Sequence, residues 1–224
     1  RCCENYPTHE LGPIAKLLDI NRGNRIMTVS SFASKSAGLS EYIKTRVDAT
    51  DEMKAANFAQ GDIITTVLTC ARGETILLRL DTTLPRSYSR DFTVRGTKGL
   101  YMQDTNSVFL DGDEESFEPV EYYKKALNNA VKFEDEYLPD IWKSVTEEML
   151  KAGHGGMDWF AYMGFTDALI NGEEMPVDVY DAATWQAVAV LSEMSIKQGG
   201  APQIMPDFTN GKWFKRPRKD VCRL

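Results

Sequence analysis

A tyrosine and a histidine stand three residues apart near the beginning of the sequence, in the segment Asn5-Tyr6-Pro7-Thr8-His9. Both side chains can transfer protons, and a neutral imidazole beside a phenol can also hydrogen-bond the hydroxyl groups of a ligand. Pro7 fixes its own φ angle and biases Tyr6 toward extended geometry. The sequence therefore predicts that Tyr6 lies just before a helix and that His9 lies in its first turn. The alternative is that both residues only cap and pack that helix.

A second candidate is a proline-containing loop, which runs from Asp81 to Arg90 and carries Arg86 and Tyr88. Loops that are anchored on a sheet commonly carry functional residues, so these side chains are candidates for ligand contact. An ordinary surface turn with local hydrogen bonds is the alternative interpretation.

A third candidate surrounds one histidine with glycines, in Gly153-His154-Gly155-Gly156-Met157-Asp158. Glycine lets a backbone approach a ligand closely, and the segment opens a predicted helix, whose N-terminus favours anions. Asp158 could orient His154 or could simply cap the helix. The spacing matches no metal motif, so the residues alone leave a binding role and a structural role open.

These candidates must be positioned by regular elements. Apolar residues at helical spacing predict helices at about Thr8 to Asp19, Gly155 to Asn171 and Val179 to Gln198, the last with Asp178 as its cap. A charged, aromatic stretch from Glu118 to Leu150 predicts one or two surface helices broken at Pro139. The polar stretch from Ser34 to Gln60 predicts a loop with a short helix.

Strand patterns fill much of the first half of the chain. Runs rich in β-branched or alternating residues predict six strands, at Arg25–Phe32, Asp62–Cys70, Thr75–Asp81, Asp91–Arg95, Gly99–Gln103 and Ser107–Leu110. A run of strands followed by a run of helices, without βαβ alternation, indicates the α+β class. We expect an open, mainly antiparallel sheet of about six strands with helices packed on one face.

The composition excludes several classes of function. Hydrophobic residues at 42% and charged residues at 26% are typical of a globular chain and argue against global disorder. The net charge of −7 disfavours non-specific binding to nucleic acid, and no apolar run is long enough to span a bilayer. Basic residues cluster only in a tail at residues 214–224, which we interpret as a solvated extension.

Metal and nucleotide motifs are absent from the sequence. The four cysteines follow neither a metal spacing nor a disulfide framework, and two histidines are too few for a His-rich site, so no metal is predicted. No G-x-G-x-x-G follows a strand and no P-loop occurs. The chain is therefore predicted to hold no nucleotide cradle of its own.

A set of short motifs nevertheless occurs in a fixed order between Asn5 and Trp213. They are Tyr6-Pro7-Thr8-His9-x-Leu11-Gly12-Pro13, Asp19-Ile20-Asn21-Arg22-Gly23, Pro85-Arg86-x-Tyr88-Ser89-Arg90, Gly96-Thr97-x-Gly99, His154-Gly155-Gly156-Met157-Asp158, Asp178-Val179-Tyr180-Asp181, Pro206-Asp207-Phe208-Thr209 and Gly211-x-Trp213. Together they resemble the C-terminal domain of glycoside hydrolase family 109, the NAD-dependent α-N-acetylgalactosaminidases of the glucose–fructose oxidoreductase and inositol dehydrogenase superfamily.

That resemblance implies two domains with different roles. In the family an N-terminal Rossmann domain binds NAD, and an α+β domain supplies the substrate side. Residues 1–213 would then be the substrate and oligomerisation domain, with the Rossmann domain upstream, NAD in the full-length protein and none bound here. Alone, this part would be inactive. The implied reaction is a redox-assisted glycoside cleavage: hydride leaves C3 of the sugar, the C2 proton is removed, the glycosidic oxygen departs, water adds and hydride returns.

The resemblance also implies roles for individual residues. Motif by motif, it makes Tyr6, His9 and Tyr88 catalytic, with Tyr6 and His9 as the acid/base pair and Tyr88 orienting the substrate. The substrate-binding set would be Tyr6, Pro7, Thr8, His9, Tyr88 and His154.

Other functions stay open beside this one. A sugar oxidoreductase on the same scaffold is one, and a non-catalytic carbohydrate-binding or assembly module is another. In each case we expect a homo-oligomer through the open sheet, because its uncovered face exposes apolar side chains. The sequence decides neither the sugar nor whether the protein is exported from a bacterium, to the periplasm or beyond, or cytoplasmic.

Overall fold

The computed structural model describes residues 1–112 and 119–219. In chain order, its helices and strands are α1 (Pro7–Leu17), β1 (Ile26–Ala33), α2 (Gly38–Thr45), α3 (Asp51–Ala55), β2 (Ile63–Cys70), β3 (Thr75–Asp81), β4 (Thr93–Arg95), β5 (Gly99–Met102), β6 (Ser107–Leu110), α4 (Pro119–Ala126), α5 (Glu134–Tyr137), α6 (Asp140–Lys143), α7 (Glu147–Leu150), α8 (Met157–Asn171), α9 (Val179–Lys197) and β7 (Gln203–Ile204). Short 3-10 helices lie at Asn129–Phe133, His154–Gly156 and Lys212–Phe214.

The described residues form two compact units. The first comprises Arg1–Pro85 together with residues 164–219, and the second comprises Arg86–Met163. Each unit has its own antiparallel sheet.

The first unit is built on a four-stranded sheet in the order β3-β2-β1-β7, in which all neighbours are antiparallel. Alternate residues of β2 are buried on one face, where α1 and α9 contribute to the same core. Because side chains alternate across a strand, the opposite face of the sheet carries the remaining residues. The core consists of Leu11, Ala15, Ile20, Ile26, Val29, Leu68, Cys70, Ile76, Leu78, Val188, Leu191 and Met205.

Helix α9 begins and lies against the sheet for reasons that the sequence shows. Asp178 accepts hydrogen bonds from the backbone of Tyr180 and Asp181, and Asp181 accepts one from the N–H of Asp178, which completes a capping box. In the last turn of the helix, the Ser195 hydroxyl accepts a 2.8 Å hydrogen bond from the N–H of Ser31 on β1. The cap stabilises the start of α9, and the hydroxyl fixes its end to β1.

The second unit is a three-stranded sheet, β4-β5-β6, with short helices after it. Ser107 on β6 is fully buried and donates a 2.8 Å hydrogen bond to the carbonyl of Ala126 at the end of α4. The Asn129 side chain bonds both the N–H and the carbonyl of Val108, at 2.6 and 2.8 Å. These polar contacts attach the short helices to the small sheet.

The α+β class with open antiparallel sheets is confirmed. All six predicted strands are present, but they divide into two sheets, and the short strand β7 joins the larger one beside β1. Residues 119–150 form a series of short helices instead of one or two longer ones, and the break at Pro139 is present. Glu118, where that stretch was expected to begin, lies outside the described residues.

Arg216 and Lys219 of the basic tail contact the first unit, while residues 214, 215, 217 and 218 are exposed. The Arg216 side chain is 12% exposed, its guanidinium contacts the Asp178 carboxylate, and it lies 4.8 Å from the centre of the Tyr180 ring. Lys219 donates a 2.8 Å hydrogen bond to Glu173. The interpretation of a solvated extension is therefore wrong for these two residues, while 220–224 lie outside the described residues. Within the described ranges, no helix has the length and apolar character needed to cross a bilayer.

Candidate functional site

Tyr6 and His9 form a stacked pair of rings at the start of α1. The ring centres are 5.2 Å apart and the ring planes differ by 25°. Pro7 occupies the first helical position and is buried, while Tyr6 stands at the N-cap position with extended φ. The Tyr6 side chain makes no capping hydrogen bond and is 57% exposed, and His9 is exposed as well. Neither ring is therefore occupied in capping or packing the helix, which leaves both free for a ligand.

The backbone just before this pair is anchored in the core. Glu4 is fully buried, and its N–H donates a 2.8 Å hydrogen bond to the Ser192 hydroxyl on α9. The carboxylate Oε1 of Glu4 accepts a long hydrogen bond of 3.4 Å from the N–H of Tyr6. Burial raises the pKa of the Glu4 carboxyl group to about 7, and the negative charge of Glu10 adds to the rise. A buried carboxyl group with a raised pKa is thus bonded to the backbone of Tyr6.

The other end of α1 is fixed by a buried ion pair. Arg22 donates to both carboxylate oxygens of Asp181, at 2.7 and 2.9 Å, and its Nη2 also reaches Asp178 at 3.1 Å. Asn21 donates to the Tyr180 carbonyl at 3.1 Å. The motif at residues 19–23 therefore binds the motif at residues 178–181, and both serve to hold α1 on α9.

The charges in this ion pair stay ionised. Burial opposes ionisation of Asp181, but the hydrogen bonds from Arg22 and the charge of Lys16 outweigh it and hold the pKa of this carboxyl group below its ordinary value. Lys16 Nζ lies 3.3 Å from Asp181 Oδ2, and burial lowers the pKa of the Lys16 amine. This arrangement explains the acidic motif as a structural feature, as its capping pattern indicates.

Tyr88 lies in an irregular segment between β3 and β4, in the second unit. Its side chain is 78% exposed. The neighbouring Ser89 shapes the segment, since its hydroxyl bonds the Asp104 carboxylate and accepts a 2.7 Å hydrogen bond from the N–H of Asp91. The sequence-predicted loop is present, and it presents the phenol to solvent.

His154 and Asp158 are paired on the surface of the second unit. Nδ1 of His154 lies 2.9 and 3.0 Å from the two carboxylate oxygens of Asp158, and both side chains are accessible. Gly153 has φ +91, and a β-carbon there would come within 2.5 Å of an Asp158 oxygen. Glycine at this position therefore permits the close approach of Asp158, which orients the imidazole and leaves its other nitrogen exposed.

The predicted site residues thus fall into two groups, one in each unit. Tyr6, Pro7, Thr8 and His9 belong to one turn of the first unit, whereas Tyr88 and His154 belong to the second. Glu4 was missed by sequence reasoning, because a single glutamate in a polar segment carries no pattern that reveals its burial. An open depression of about 410 Å³ in the second unit is lined in part by Gly96, Thr97 and Gly99, and contains none of the candidate residues.

The described residues do not fit a dinucleotide or a metal ion. Both sheets are antiparallel at every strand pair and have no parallel βαβ unit, the arrangement that carries a Rossmann phosphate cradle. Within residues 1–112 and 119–219, no cluster of three or more His, Cys, Asp or Glu side chains could hold a metal ion.

Comparison with known proteins covers nearly the whole chain. Residues 1–215 match the family model described as "Glycosyl hydrolase 109, C-terminal domain". A glycosyl hydrolase family 109 protein of Stenotrophomonas maltophilia (strain K279a) is 43% identical over 95% of this chain and 45% of its own length. An α-N-acetylgalactosaminidase of Tannerella forsythia is 40% identical over 94% of this chain and 43% of its own length. One of Shewanella oneidensis is 34% identical over 93% of this chain and 45% of its own length. The chain spans less than half the length of these relatives.

Proposed function

This chain belongs to the glycosyl hydrolase 109 C-terminal domain family, and from that premise we propose that it is the substrate-binding half of an α-N-acetylgalactosaminidase-like glycoside hydrolase. The observation that carries the proposal is the exposed Tyr6–His9 stack, a pair of proton-transfer groups that neither caps nor packs its helix. The names of the relatives from Tannerella forsythia and Shewanella oneidensis supply the substrate class.

In this function Tyr6 and His9 act as the acid/base pair. Their rings are close enough for both polar ends to reach one sugar ring, and His9 can accept a proton in its neutral form and donate it in its charged form. For Tyr88 and His154 of the second unit, the family resemblance alone carries the proposal that they contact the substrate, with Tyr88 orienting it; the Tyr88 phenol is exposed and Asp158 binds Nδ1 of His154. Such a proton-transfer route needs no flanking pair of carboxylates of the kind that ordinary glycosidases use.

We further propose that NAD is the cofactor of the full-length protein and that it binds upstream of this chain. Its chemistry when bound is the removal and return of a hydride. The chain alone is then inactive as a glycosidase.

A homo-oligomer through the open face of the larger sheet is part of the proposal. Leu77 on β3 and Phe32 on β1 are 65% and 55% exposed, and Ile204 on β7 is 79% exposed. Val67 lies directly opposite Leu77 in the register, which extends the apolar surface from β3 to β2. An exposed apolar face of this kind favours burial against a second copy.

The test is release of nitrophenol from a nitrophenyl α-N-acetylgalactosaminide by the full-length protein, with and without added NAD. His9→Ala and Tyr88→Phe should each lower kcat/KM, the former by about 10²-fold or more as expected for loss of a general acid or base. Tyr42→Phe is the matched control, because Tyr42 is an exposed tyrosine of the first unit on α2 and should leave the rate unchanged.

The outcomes separate the competing functions. Unchanged rates in both site variants would overturn the site assignment. Net NADH production without glycoside cleavage would identify a sugar oxidoreductase instead. Binding of the sugar without either reaction would identify a carbohydrate-binding module.

A further inference from the structure

Glu4 occupies a buried position between the two helices that frame the Tyr6–His9 pair. Its side chain is 0% exposed. Its N–H is bonded to Ser192 on α9 at 2.8 Å, while its Oε1 accepts from the N–H of Tyr6 immediately before α1. The residue therefore links the backbone that carries the Tyr6 ring to the helix behind it.

One oxygen of this carboxyl group is left without a hydrogen bond. Within the part of the chain that the structure describes, Glu4 Oε2 is buried and has no hydrogen-bond partner. Buried polar atoms are nearly always paired, because an unpaired one loses its hydration without compensation. A carboxyl group retained in such a place, beside two proton-transfer groups, calls for a role beyond packing.

The charges around Glu4 disfavour its ionised form. Glu10 of α1 is the charged group that acts on it. Helix α9 faces it with the Ser192 hydroxyl, and the adjacent Glu193 is engaged with Arg1 at 2.7 Å and with Lys197 at 2.9 Å. Burial, followed by the charge of Glu10, raises the pKa of Glu4 to about 7, and the hydrogen bond from Tyr6 only partly opposes the rise.

We propose that Glu4 is the positioning residue of the Tyr6–His9 pair: its buried carboxyl group anchors the turn before α1 and couples the orientation of the two rings to its own protonation. The inference rests on the proposed function, in which the two rings transfer protons. Glu4 itself touches neither substrate nor cofactor in this role.

The coupling follows from the geometry of the turn. With its proton bound, the carboxyl group is neutral and holds the N–H of Tyr6 through Oε1. Loss of the proton places a second negative charge near Glu10 in a space that water does not reach, and the turn must open to hydrate it. Because Pro7 has a fixed φ angle and begins the helix that carries His9, opening the turn moves the Tyr6 ring relative to His9.

The experiment uses the full-length protein with three variants, Glu4→Gln, Glu10→Gln and Glu41→Gln. The Cε1–H resonance of His9, assigned by its absence in His9→Gln, is followed as a function of pH, together with kcat/KM. A histidine resonance also follows the protonation of its own ring, which every variant that keeps His9 retains. The effect of Glu4 is therefore the difference between the wild-type and Glu4→Gln curves: it should be centred near pH 7 for the resonance and for kcat/KM, and Glu10→Gln should move it to lower pH. Glu41→Gln removes an exposed carboxylate of α2 that pairs with Lys44, so it should leave both curves unchanged.

Infrared difference spectra between pH 6 and pH 8 give a second measurement that does not depend on activity. The carbonyl band of a protonated carboxylic acid should disappear over this interval in wild type and be missing from Glu4→Gln. An unchanged His9 curve in Glu4→Gln, or a band that survives this substitution, overturns the proposal. If Glu4 titrates and moves the His9 resonance while His9→Ala leaves the rate unchanged, the proposed function fails and the positioning role stands.

Discussion

The guanidinium group of Arg22 lies against the carboxylate of Asp181 in a two-point ion pair, with Nη1–Oδ1 at 2.7 Å and Nη2–Oδ2 at 2.9 Å. The two side chains are only 3% and 2% exposed. Arg22 follows α1 and Asp181 lies in the first turn of α9, so this pair fixes the helix that begins at the Tyr6–His9 stack. The geometry of the candidate site thus depends on charges that never contact a ligand.

Replacing Asp181 by Asn should therefore destabilise the first unit strongly. The substitution takes the two-point carboxylate partner from the buried Arg22 guanidinium and leaves it the contact with Asp178 at 3.1 Å. Removing one partner of a buried pair in this way costs about 3–5 kcal/mol. We expect that loss in the free energy of unfolding at neutral pH, measured by urea denaturation. Glu41→Gln, which breaks an exposed pair with Lys44, is the control and should change it by less than about 1 kcal/mol.

The same variant has a defined pH dependence. The pKa of Asp181 is lowered in the folded state, so its stabilising contribution is present above the ordinary value of 3.8 and is lost as the pH falls through the lower folded value. The difference between wild type and Asp181→Asn should accordingly shrink in acid. A difference that stays constant down to the lowest pH at which the protein folds would show that Asp181 is not an ionised partner of Arg22.

Local patterns predict much of this fold, and contacts between distant residues explain what they miss. Strands β2 and β3 follow from the β-branched and apolar runs on either side of Gly73, and α9 follows from its Asp178 cap. The addition of β7 beside β1 does not, because these two strands are far apart in sequence.

The candidate site shows the same limit. The spacing of Tyr6 and His9 predicts that they share a helical turn, and Pro7 predicts where that turn begins. The buried N–H of Glu4 contacts Ser192, which is 188 residues away in the sequence, and no local pattern predicts that contact. The sequence could therefore name the rings but not the carboxyl group behind them.

Gly153→Ala should disturb the His154–Asp158 pair. At φ +91 any β-carbon is strained, at a cost of roughly 1–2 kcal/mol, and here it also comes within 2.5 Å of an Asp158 oxygen. Gly73→Ala is the matched control, since φ is +98 there and a β-carbon would meet nothing within 4 Å. Both variants should lose stability, but only Gly153→Ala should raise KM for the glycoside. Equal KM values in Gly153→Ala and Gly73→Ala would show that His154 takes no part in substrate binding.

Leu77→Glu should dissociate the oligomer that we propose. The substitution places a charge on the open sheet face at its edge strand β3, opposite Val67, where association must remove it from water. We expect the dissociation constant to rise by about 30-fold or more, as for a residue that contributes about 2 kcal/mol to an interface. Light scattering over a range of concentrations measures it. Val47→Glu is the control, because Val47 is 99% exposed and lies outside the sheet, so its substitution should leave assembly unchanged. A wild-type protein that is monomeric would refute the interface.

Glu4→Gln should make the protein more stable at high pH and change its stability little in acid. The folded pKa of about 7 exceeds the ordinary value of 4.5, so the folded state keeps a proton that the unfolded chain releases. Wild-type stability is therefore complete below about pH 4.5, falls as the pH rises toward 7, and then levels off. At about 1.4 kcal/mol for each pKa unit, the total loss approaches roughly 3 kcal/mol.

Glutamine cannot ionise, so the gain in stability of Glu4→Gln over wild type should grow between pH 5 and pH 7 and stay constant above pH 7. Denaturant melts at several pH values measure that gain, with Glu41→Gln as the control, and a gain that does not vary with pH would show that Glu4 is ionised in the fold.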